Sequence, residues 1–395
     1  MDLAQRKLGV LEVELLGAPS MGPLGHDQLH DLHGGPGDER NTLLVVVDVS
    51  VLDGSRRGGH SGILIQRRSF SQRYPTPMDP RATAEMLKTW ALEAGFDRAG
   101  VAGLEPSAHG EAFLRWLERG DQAGMHWFTK RIEARLEPEK VWPGTRSVLC
   151  VTLQYAPLSN KEGEEVPEPD GDLWPRVARY ARGRDYHEVM HERLTVLEER
   201  IAAAFPGLVS RRYVDTGPVL ERELAARAGL GAVGKNTMLL HPDAGSWFLL
   251  GELFLSLDLA PDVPLADLCG SCTRCLEACP TGALPEPYRL DSNLCISYWT
   301  IEHRGDFPPG VENSLAGWVF GCDICQEVCP WNTAPAGASH PEMEVPPQRA
   351  GLDLAGLLRL GRDEYVERFR GSPMKRAKLA GLQRNAVAAL SQGSS

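Results

Sequence analysis

The stretch Cys269-Gly-Ser-Cys272-Thr-Arg-Cys275-Leu-Glu-Ala-Cys279-Pro280 decides the fold of this chain. It places three thiols at two-residue gaps and a fourth directly before proline, a spacing that ligates 4Fe–4S clusters in bacterial two-cluster proteins. The stretch Cys322-Asp-Ile-Cys325-Gln-Glu-Val-Cys329-Pro330 repeats the pattern, except that Val319 stands where its first cysteine is expected. The two stretches together predict a module that holds two clusters.

The ligands of both predicted clusters follow from this spacing. In two-cluster proteins the cysteine before each proline ligates the other cluster. The second stretch is one ligand short, and Cys295 is the remaining cysteine nearby, so we expect it to fill the place of Val319. The first predicted cluster has the ligands Cys269, Cys272, Cys275 and Cys329. The second predicted cluster has the ligands Cys279, Cys295, Cys322 and Cys325.

Two other uses of these cysteines match the sequence less well. Zinc sites usually contain two Cys-x-x-Cys pairs rather than three thiols in tandem followed by Cys-Pro. Disulfide frameworks are typical of exported proteins, and because we find no secretory signal we expect a cytoplasmic protein. The ninth cysteine, Cys150, lies apart in the apolar run 147–153 and is predicted to be a buried strand thiol.

The composition is that of an ordinary folded protein with more than one domain. The 395 residues are 42% hydrophobic and 24% charged, and no apolar run approaches the length of a membrane span. The net charge of −11 argues against nucleic-acid binding over the whole surface, but it allows a local basic patch. The last 25 residues contain Lys375, Arg376, Lys378 and Arg384 and no acid. This run is either a solvated helix face or a phosphate-binding patch.

Four segments are predicted along the chain. Residues 1–77 lack a sustained hydrophobic period, and we interpret them as a disordered or non-native extension, with a small N-terminal domain as the alternative. In residues 78–265 helical stretches alternate with short β-rich runs, which favours an α/β (α+β) domain. Residues 266–335 form the ferredoxin-like module with the two clusters. Residues 336–395 have helical spacing and are predicted to be a short C-terminal helical segment.

Two features before the cysteines are candidate parts of a site. Residues 229–236 satisfy the pattern GxGxxG and nearly satisfy that of a P-loop, but both motifs need a strand before them and a helix after them. Here a helix comes first and Gly229 is its predicted end, so we do not expect a nucleotide site. Asp215 follows a predicted short strand and precedes this helix. It is either a helix cap or a residue at the edge of a site.

The chain resembles the epoxyqueuosine reductase family from about Met78 to near the C-terminus. The resemblance rests on a set of segments in order, which is far more specific than any one of them. They are Gly124-Met125, Pro143–Val148, Arg179–His187, Asp215–Arg222, Gly229–Asn236, Gly245–Glu252, Glu286–Tyr288, Cys295–Glu302, Gly321–Cys325 and Arg384-Asn385. The family's pattern includes an isolated cysteine at the position of Cys295, in agreement with the ligand count.

The resemblance implies an activity and a second cofactor. Members of the family reduce epoxyqueuosine in tRNA to queuosine with two 4Fe–4S clusters and cobalamin, in a domain similar to that of reductive dehalogenases. An acid at the position of Asp215 is implied to protonate the epoxide oxygen, which requires a raised pKa near neutrality. The chain has no Asp-x-His-x-x-Gly segment to supply an axial histidine. Contacts with cobalamin are implied for Arg135, Ala178, Lys235, Asn236 and Ser297.

Partners and alternatives complete the hypothesis. We expect tRNA carrying epoxyqueuosine as substrate, a low-potential electron donor such as flavodoxin or ferredoxin, no membrane partner, and a monomer. One alternative is a corrinoid reductive dehalogenase, which an export signal would favour. Another is a ferredoxin-type electron carrier, which would not need the roughly 190 residues that precede the clusters, because a ferredoxin needs well under 100.

Overall fold

A four-stranded antiparallel sheet organises the computed structural model, which describes residues 79–155, 171–332 and 340–392. The predicted extension at residues 1–77 lies outside the described residues. The sheet has the strand order β1-β2-β6-β3, and β4 and β5 form a separate pair. The strands are β1 (Arg98–Ala102), β2 (Ser147–Gln154), β3 (Ser210–Tyr213), β4 (Ala232–Val233), β5 (Leu239–Leu240) and β6 (Phe248–Leu255).

Ten α-helices surround the sheet and continue to the end of the described chain. Helix α1 has Asp79 as its N-cap, whose side chain accepts from the Arg81 N–H, and Gly95 follows its C-terminus with a φ of 94°. The helices are α1 (Pro80–Glu93), α2 (Gly110–Glu118), α3 (Ile132–Leu136), α4 (Tyr186–Ala204), α5 (Glu221–Arg227), α6 (Arg274–Ala278), α7 (Ile324–Glu327), α8 (Leu354–Arg359), α9 (Arg362–Arg368) and α10 (Lys378–Gln392).

The central strand β2 is buried on both faces, because helices cover the sheet on each side. Leu149, Val151 and Leu153 point to one face and pack in a core with α1 and α4. Val148 and Cys150 point to the other face and pack with α5. Cys150 is fully buried, so the predicted strand thiol is confirmed.

Helix α5 lies directly on the sheet at β1. A Cβ atom added to Gly100 would lie 2.1 Å from the carbonyl oxygen of Ala228, at the end of α5, so no larger residue fits there. Gly229 follows with a φ of 72°, and its N–H bonds to the Ala226 carbonyl. The predicted helix end at Gly229 is confirmed. The chain then runs through a loop into β4, so the order needed for a nucleotide-binding loop is absent from this segment.

The alternation of helices and strands does not produce a parallel sheet here. Each neighbouring pair in the sheet is antiparallel, with Ser147 opposite Leu255 and Arg98 opposite Thr152. The architecture is therefore α+β, the second of the two forms that the sequence allowed. The alternation favoured both forms because it fixes the order of the elements and not the direction in which strands pair.

The cysteine-rich segment is tied to the sheet domain by buried amides. Gln326, on α7, donates to the Tyr155 hydroxyl at 3.2 Å and to Ser246 Oγ at 3.0 Å. Asn332 donates to the same Ser246 oxygen at 2.9 Å and accepts from the Ser246 N–H at 2.7 Å. The amide groups at this junction therefore have their hydrogen-bond partners within it.

The C-terminal helices share a core with residues that precede the cysteines. Leu357 and Phe369, from α8 and just after α9, pack with Trp174 and Phe320 in one cluster. Asn385 on α10 is fully buried and donates to the Thr300 and Val319 carbonyls. The described residues 340–392 contain α8, α9 and α10, and Asn385 joins α10 to the backbone between Cys295 and Cys322.

Candidate active site

Each cysteine stretch folds as a turn followed by a short helix. In the first, the Cys272 N–H bonds to the Cys269 carbonyl and α6 begins at Arg274. In the second, α7 begins at Ile324 and ends just before Cys329. Helix α6 packs against α7. The cysteine at the end of each helix is therefore carried toward the turn of the other stretch.

The thiols influence one another mainly in two sets, with one influence across them, because the charge of Cys275 also raises the pKa of Cys325. Burial and then the charges of Cys269 and Cys329 raise the pKa of Cys275. Burial raises the pKa of Cys322 to about 12, and the charges of Cys295 and Cys279 raise it further. The first set contains Cys269, Cys272, Cys275 and Cys329. The second set contains Cys279, Cys295, Cys322 and Cys325.

Val319 takes no part in either set. It is fully buried in an apolar cluster, and its N–H bonds to the Arg176 carbonyl at 2.8 Å. Cys295 lies near Cys279, whose charge raises the Cys295 pKa after burial does, and the Ser297 hydroxyl hydrogen-bonds the Cys295 sulfur. Cys295 is therefore the candidate for the ligand that the second cysteine stretch lacks at Val319.

Two of the residues implied to bind cobalamin contact the cysteine turns. Lys235 Nζ donates to the carbonyls of Gly270 at 2.6 Å and Cys272 at 2.9 Å, and its N–H donates to Cys269 Sγ at 3.4 Å. Asn236 donates to the Cys325 carbonyl at 3.2 Å. Both side chains therefore brace the turns, between the sheet domain and the thiols.

The other implied cobalamin contacts are spread over three elements. Ser297 precedes a π-helical turn, Tyr298–Glu302, a form of helix that often marks functional positions. Ala178 is buried, and its N–H donates to the Phe320 carbonyl. Arg135 is buried on α3, with its guanidinium carbon 5.2 Å from the centre of the Phe128 ring. The role of these residues in binding a corrin stays a prediction.

Asp215 occupies a strained turn at the end of β3. Its φ of 59° is unusual for a residue with a side chain, and its N–H donates to the Glu221 carboxylate. Helix α5 begins at Glu221 with Leu220 as its N-cap, so the interpretation of Asp215 as a helix cap is wrong. Its side chain is 62% exposed and can meet a substrate.

A histidine bridges Asp215 to a second carboxylate. His187, in the first turn of α4, places Nδ1 2.8 Å from Asp185 Oδ1 and Nε2 3.4 Å from Asp215 Oδ2. The Tyr186 hydroxyl is close enough to lower the Asp215 pKa as well. Burial pulls the His187 pKa down, but the two carboxylates outweigh it and raise that pKa to about 9.

The proton of this group therefore resides on the histidine rather than on the acid. The His187 imidazolium, 3.4 Å away, holds the Asp215 pKa below its ordinary value. This is the opposite of the raised pKa expected from the sequence, because the expected burial is outweighed by a cationic partner that the sequence did not single out. Near neutrality the Asp215–His187 pair holds one proton between its two side chains.

Basic and aromatic side chains lie beside this pair. Arg376 is close enough to lower the Asp215 pKa, and its guanidinium carbon lies 5.2 Å from the centre of the Trp127 ring. Trp127 is 39% exposed. Lys375 and Lys378 are exposed on the same C-terminal segment, whereas Arg384 is committed to backbone carbonyls such as that of Trp299 at 2.9 Å.

Four residues of the site escaped the sequence analysis as individuals. Tyr186 and His187 lay within a quoted segment, but nothing in their spacing to Asp215 revealed that α4 would bring them to it. Glu221 and Glu252 also lay in quoted segments, and β6 places Glu252 opposite Tyr213, beside the Asp215 turn. A buried glutamate in an apolar strand run was the available signal for Glu252.

Comparison with known proteins identifies two families in this chain. Residues 135–216 match the family described as Epoxyqueuosine reductase QueG, DUF1730. Residues 268–332 match the 4Fe-4S double cluster binding domain. The first match ends just after Asp215, and the second includes all eight clustered cysteines.

Curated relatives and solved structures agree. An epoxyqueuosine reductase of Xanthomonas campestris pv. campestris is 42% identical over 303 residues, 76% of this chain and 84% of that protein. One solved structure is an epoxyqueuosine reductase with an epoxyqueuosine-modified stem loop of tyrosine tRNA, at 32% identity and a TM-score of 0.70, covering 80% of this chain and 82% of that chain. Another, from Bacillus subtilis with its catalytic loop swung out of the active site, has a TM-score of 0.71 at 31% identity and the same coverage. The chain belongs to the epoxyqueuosine reductase family.

Proposed function

We propose that this chain reduces epoxyqueuosine in tRNA to queuosine, with electrons from two 4Fe–4S clusters and a proton from the Asp215–His187 pair. The observation that carries this proposal is the exposed Asp215 carboxylate, whose ion pair with His187 at 3.4 Å keeps a proton in the site near neutrality. Removing an epoxide oxygen as water and leaving an alkene consumes two electrons and two protons. The chain must therefore supply both.

The eight thiols would hold the two clusters in the sets that influence one another. Cys269, Cys272 and Cys275 would share a cluster with Cys329, which α7 carries toward their turn. Cys322 and Cys325 would share the other with Cys279 and Cys295. Lys235, which bonds the first turn, and Ser297, which bonds the Cys295 sulfur, would tune cluster potentials through these contacts.

The first cluster would be the entry point for electrons. Gly270, Ser271 and Thr273 in its turn are exposed, whereas Asp323 in the second turn is buried. A low-potential donor such as flavodoxin or ferredoxin would reach the first turn more closely, and electrons would then pass inward. We propose that the chain does this as a monomer and in the cytoplasm. No helix among the described residues is long and apolar enough to cross a membrane.

Cobalamin is the implied second cofactor, and part of this chain fits it. On the face of the sheet that carries Cys150, Thr152 Oγ1 and both amide atoms of Gln154 are buried without a hydrogen-bond partner among the described residues, as is Arg135 Nε. Buried polar atoms normally have partners, so this set supports a missing polar ligand, and the corrin ring carries amide side chains. When bound, cobalamin supplies a low-valent metal centre for reductive chemistry.

The residues around Asp215 would bind and orient the modified nucleotide. Lys375, Arg376 and Lys378 would attract the phosphate backbone, which fixes position without reading sequence. The exposed Trp127 ring offers a face on which a displaced base can stack. The solved relative that carries a tRNA stem loop supports tRNA as the partner of this surface. His187 would donate through Asp215 as negative charge develops on the epoxide oxygen.

The test of this function is Asp215→Asn with modified tRNA as substrate. The amide keeps the size of the side chain but cannot relay a proton, so kcat should fall roughly 100-fold or more, the usual effect of losing a general acid. The iron content should not change. Formation of queuosine by this variant at the wild-type rate would refute the role of Asp215.

A further inference from the structure

A fully buried glutamate and a half-buried glutamate lie close together beneath the Asp215 turn. Glu252, on β6, is fully buried, and neither of its oxygens has a hydrogen-bond donor within the described part of the chain. A buried carboxyl group without a donor takes up a proton rather than remain ionised. Glu221 is the carboxyl group beside it, so the pair holds at least one proton.

Glu221 connects this pair to Asp215. It accepts the Asp215 N–H, and this bond fixes a residue whose φ of 59° is otherwise strained. We propose that Glu221 and Glu252 are positioning residues which, by sharing one proton, hold Asp215 in its reactive conformation. The inference rests on the proposed role of Asp215 but assigns a separate function to two other side chains.

The charges around the pair explain why the proton stays there. Burial raises the Glu221 pKa to about 7 and places that of Glu252 well above its ordinary value. The two protons leave in steps that belong to the pair rather than to either residue. The titratable and charged groups that face it are Asp215, Arg222 on α5, Arg135 on α3, Tyr186 on α4 and Cys150 on β2.

Loss of the shared proton would release the turn. With both carboxyls ionised, Glu221 and Glu252 would repel each other in a buried site, and Glu221 would move away from the Asp215 N–H. A relative from Bacillus subtilis has its catalytic loop swung out of the active site, so a turn of this kind can leave its place. In this chain the shared proton would keep it in place.

Two substitutions separate positioning from packing. Glu221→Ala removes the acceptor of the Asp215 N–H, so kcat should fall about tenfold, the loss of one hydrogen bond, with KM unchanged. Glu252→Gln replaces the shared proton with an amide N–H, so kcat should stay near that of the wild type. Glu223→Gln is the matched control, because Glu223 lies on α5 but bonds Ser107.

Two measurements on the cluster-loaded protein report on the pair without turnover. Infrared spectra at pH 8 should show the carbonyl band of a protonated carboxylic acid in the wild type and not in Glu252→Gln. Hydrogen exchange of the peptide 214–220 should accelerate in Glu221→Ala and not in Glu223→Gln. A wild-type spectrum without the acid band would overturn the proposal, as would a Glu252→Gln variant that loses as much kcat as Glu221→Ala.

The same set separates this inference from the role of Asp215. If Glu221→Ala frees the peptide 214–220 but keeps kcat, while Asp215→Asn loses it, positioning by the pair is wrong and the role of Asp215 stands. If Asp215→Asn also keeps kcat, the proposed role of Asp215 fails, and with it the reason for holding the turn.

Discussion

The His187→Gln substitution tests where the catalytic proton resides. With a pKa of about 9, His187 is about 99% protonated at pH 7. Without it, Asp215 would return toward its ordinary pKa of 3.8 and hold a proton in roughly one molecule in a thousand at pH 7. We therefore expect kcat at pH 7 to fall between about 100-fold and 1,000-fold, within the usual range for a general acid.

The pH dependence of kcat gives the sharper result. Wild-type kcat should fall as the pH rises through about 9, where His187 loses its proton. In His187→Gln this limb should vanish, and kcat should instead rise as the pH is lowered, because Asp215 regains a proton of its own. Single-turnover formation of queuosine, measured with nucleoside analysis from pH 5 to 10, checks both expectations.

A matched control is available on the same helix. His191 lies one turn after His187 on α4, and its pKa is lowered by burial and then by Arg212. His191→Gln should leave the profile unchanged. If His187→Gln keeps its rate at pH 7 and its alkaline limb, the proton does not come from this pair.

The folded protein binds the His187 proton more tightly than the unfolded chain does, since folding raises the His187 pKa from 6.5 to about 9. The stabilisation of the fold by this proton should be complete below pH 6.5 and lost as the pH rises through 9. The difference in Tm between the wild type and His187→Gln at each pH measures it. Cys295→Ala should lower the iron content from about eight to about four atoms per chain, since only the second cluster loses a ligand. The control Cys150→Ala should keep all the iron, and an unchanged iron content in Cys295→Ala would contradict the ligand assignment. Gly245→Ala should lower the free energy of unfolding by about 2–4 kcal/mol, because the φ of Gly245 is 60° and the new Cβ would lie 1.9 Å from Asn332 Oδ1. The hydrogen bond from the Ser246 N–H to Asn332 would then break. Chemical denaturation measures the change, and a loss below about 0.5 kcal/mol would show that this junction is not a tight contact.

The elements of the fold could be predicted where the local pattern was strong. A helix was expected to end at Gly229, and α5 ends at Arg227. A buried strand was expected in the apolar run 147–153, and β2 spans Ser147–Gln154. The direction of strand pairing could not be predicted, because a hydrophobic run specifies burial and not its neighbour. The sheet order depends on contacts between residues as distant as Arg98 and Thr152.

The chemistry of the candidate site could be predicted from the sequence better than its geometry. The cysteine spacing predicted a domain with two 4Fe–4S clusters, which the family match confirms, and the assignment of each thiol to a cluster stays a prediction. Asp215 was found through the family resemblance, and its expected pKa shift was wrong because His187 comes from a helix 28 residues earlier. The contacts of Lys235 with the first turn were also unforeseen, since they join segments 35 residues apart.

The buried amide of Gln326 links the binding of iron to the assembly of the active site. It lies between Cys325 and Cys329, so clusters bound by these two thiols would fix the turn that carries it. Its bonds to Ser246 and Tyr155 then fasten that turn to the sheet domain. Metal loading would thus complete the wall of the active site as well as its electron supply. A chain without iron should be open to proteases between residues 320 and 332 and should bind tRNA poorly.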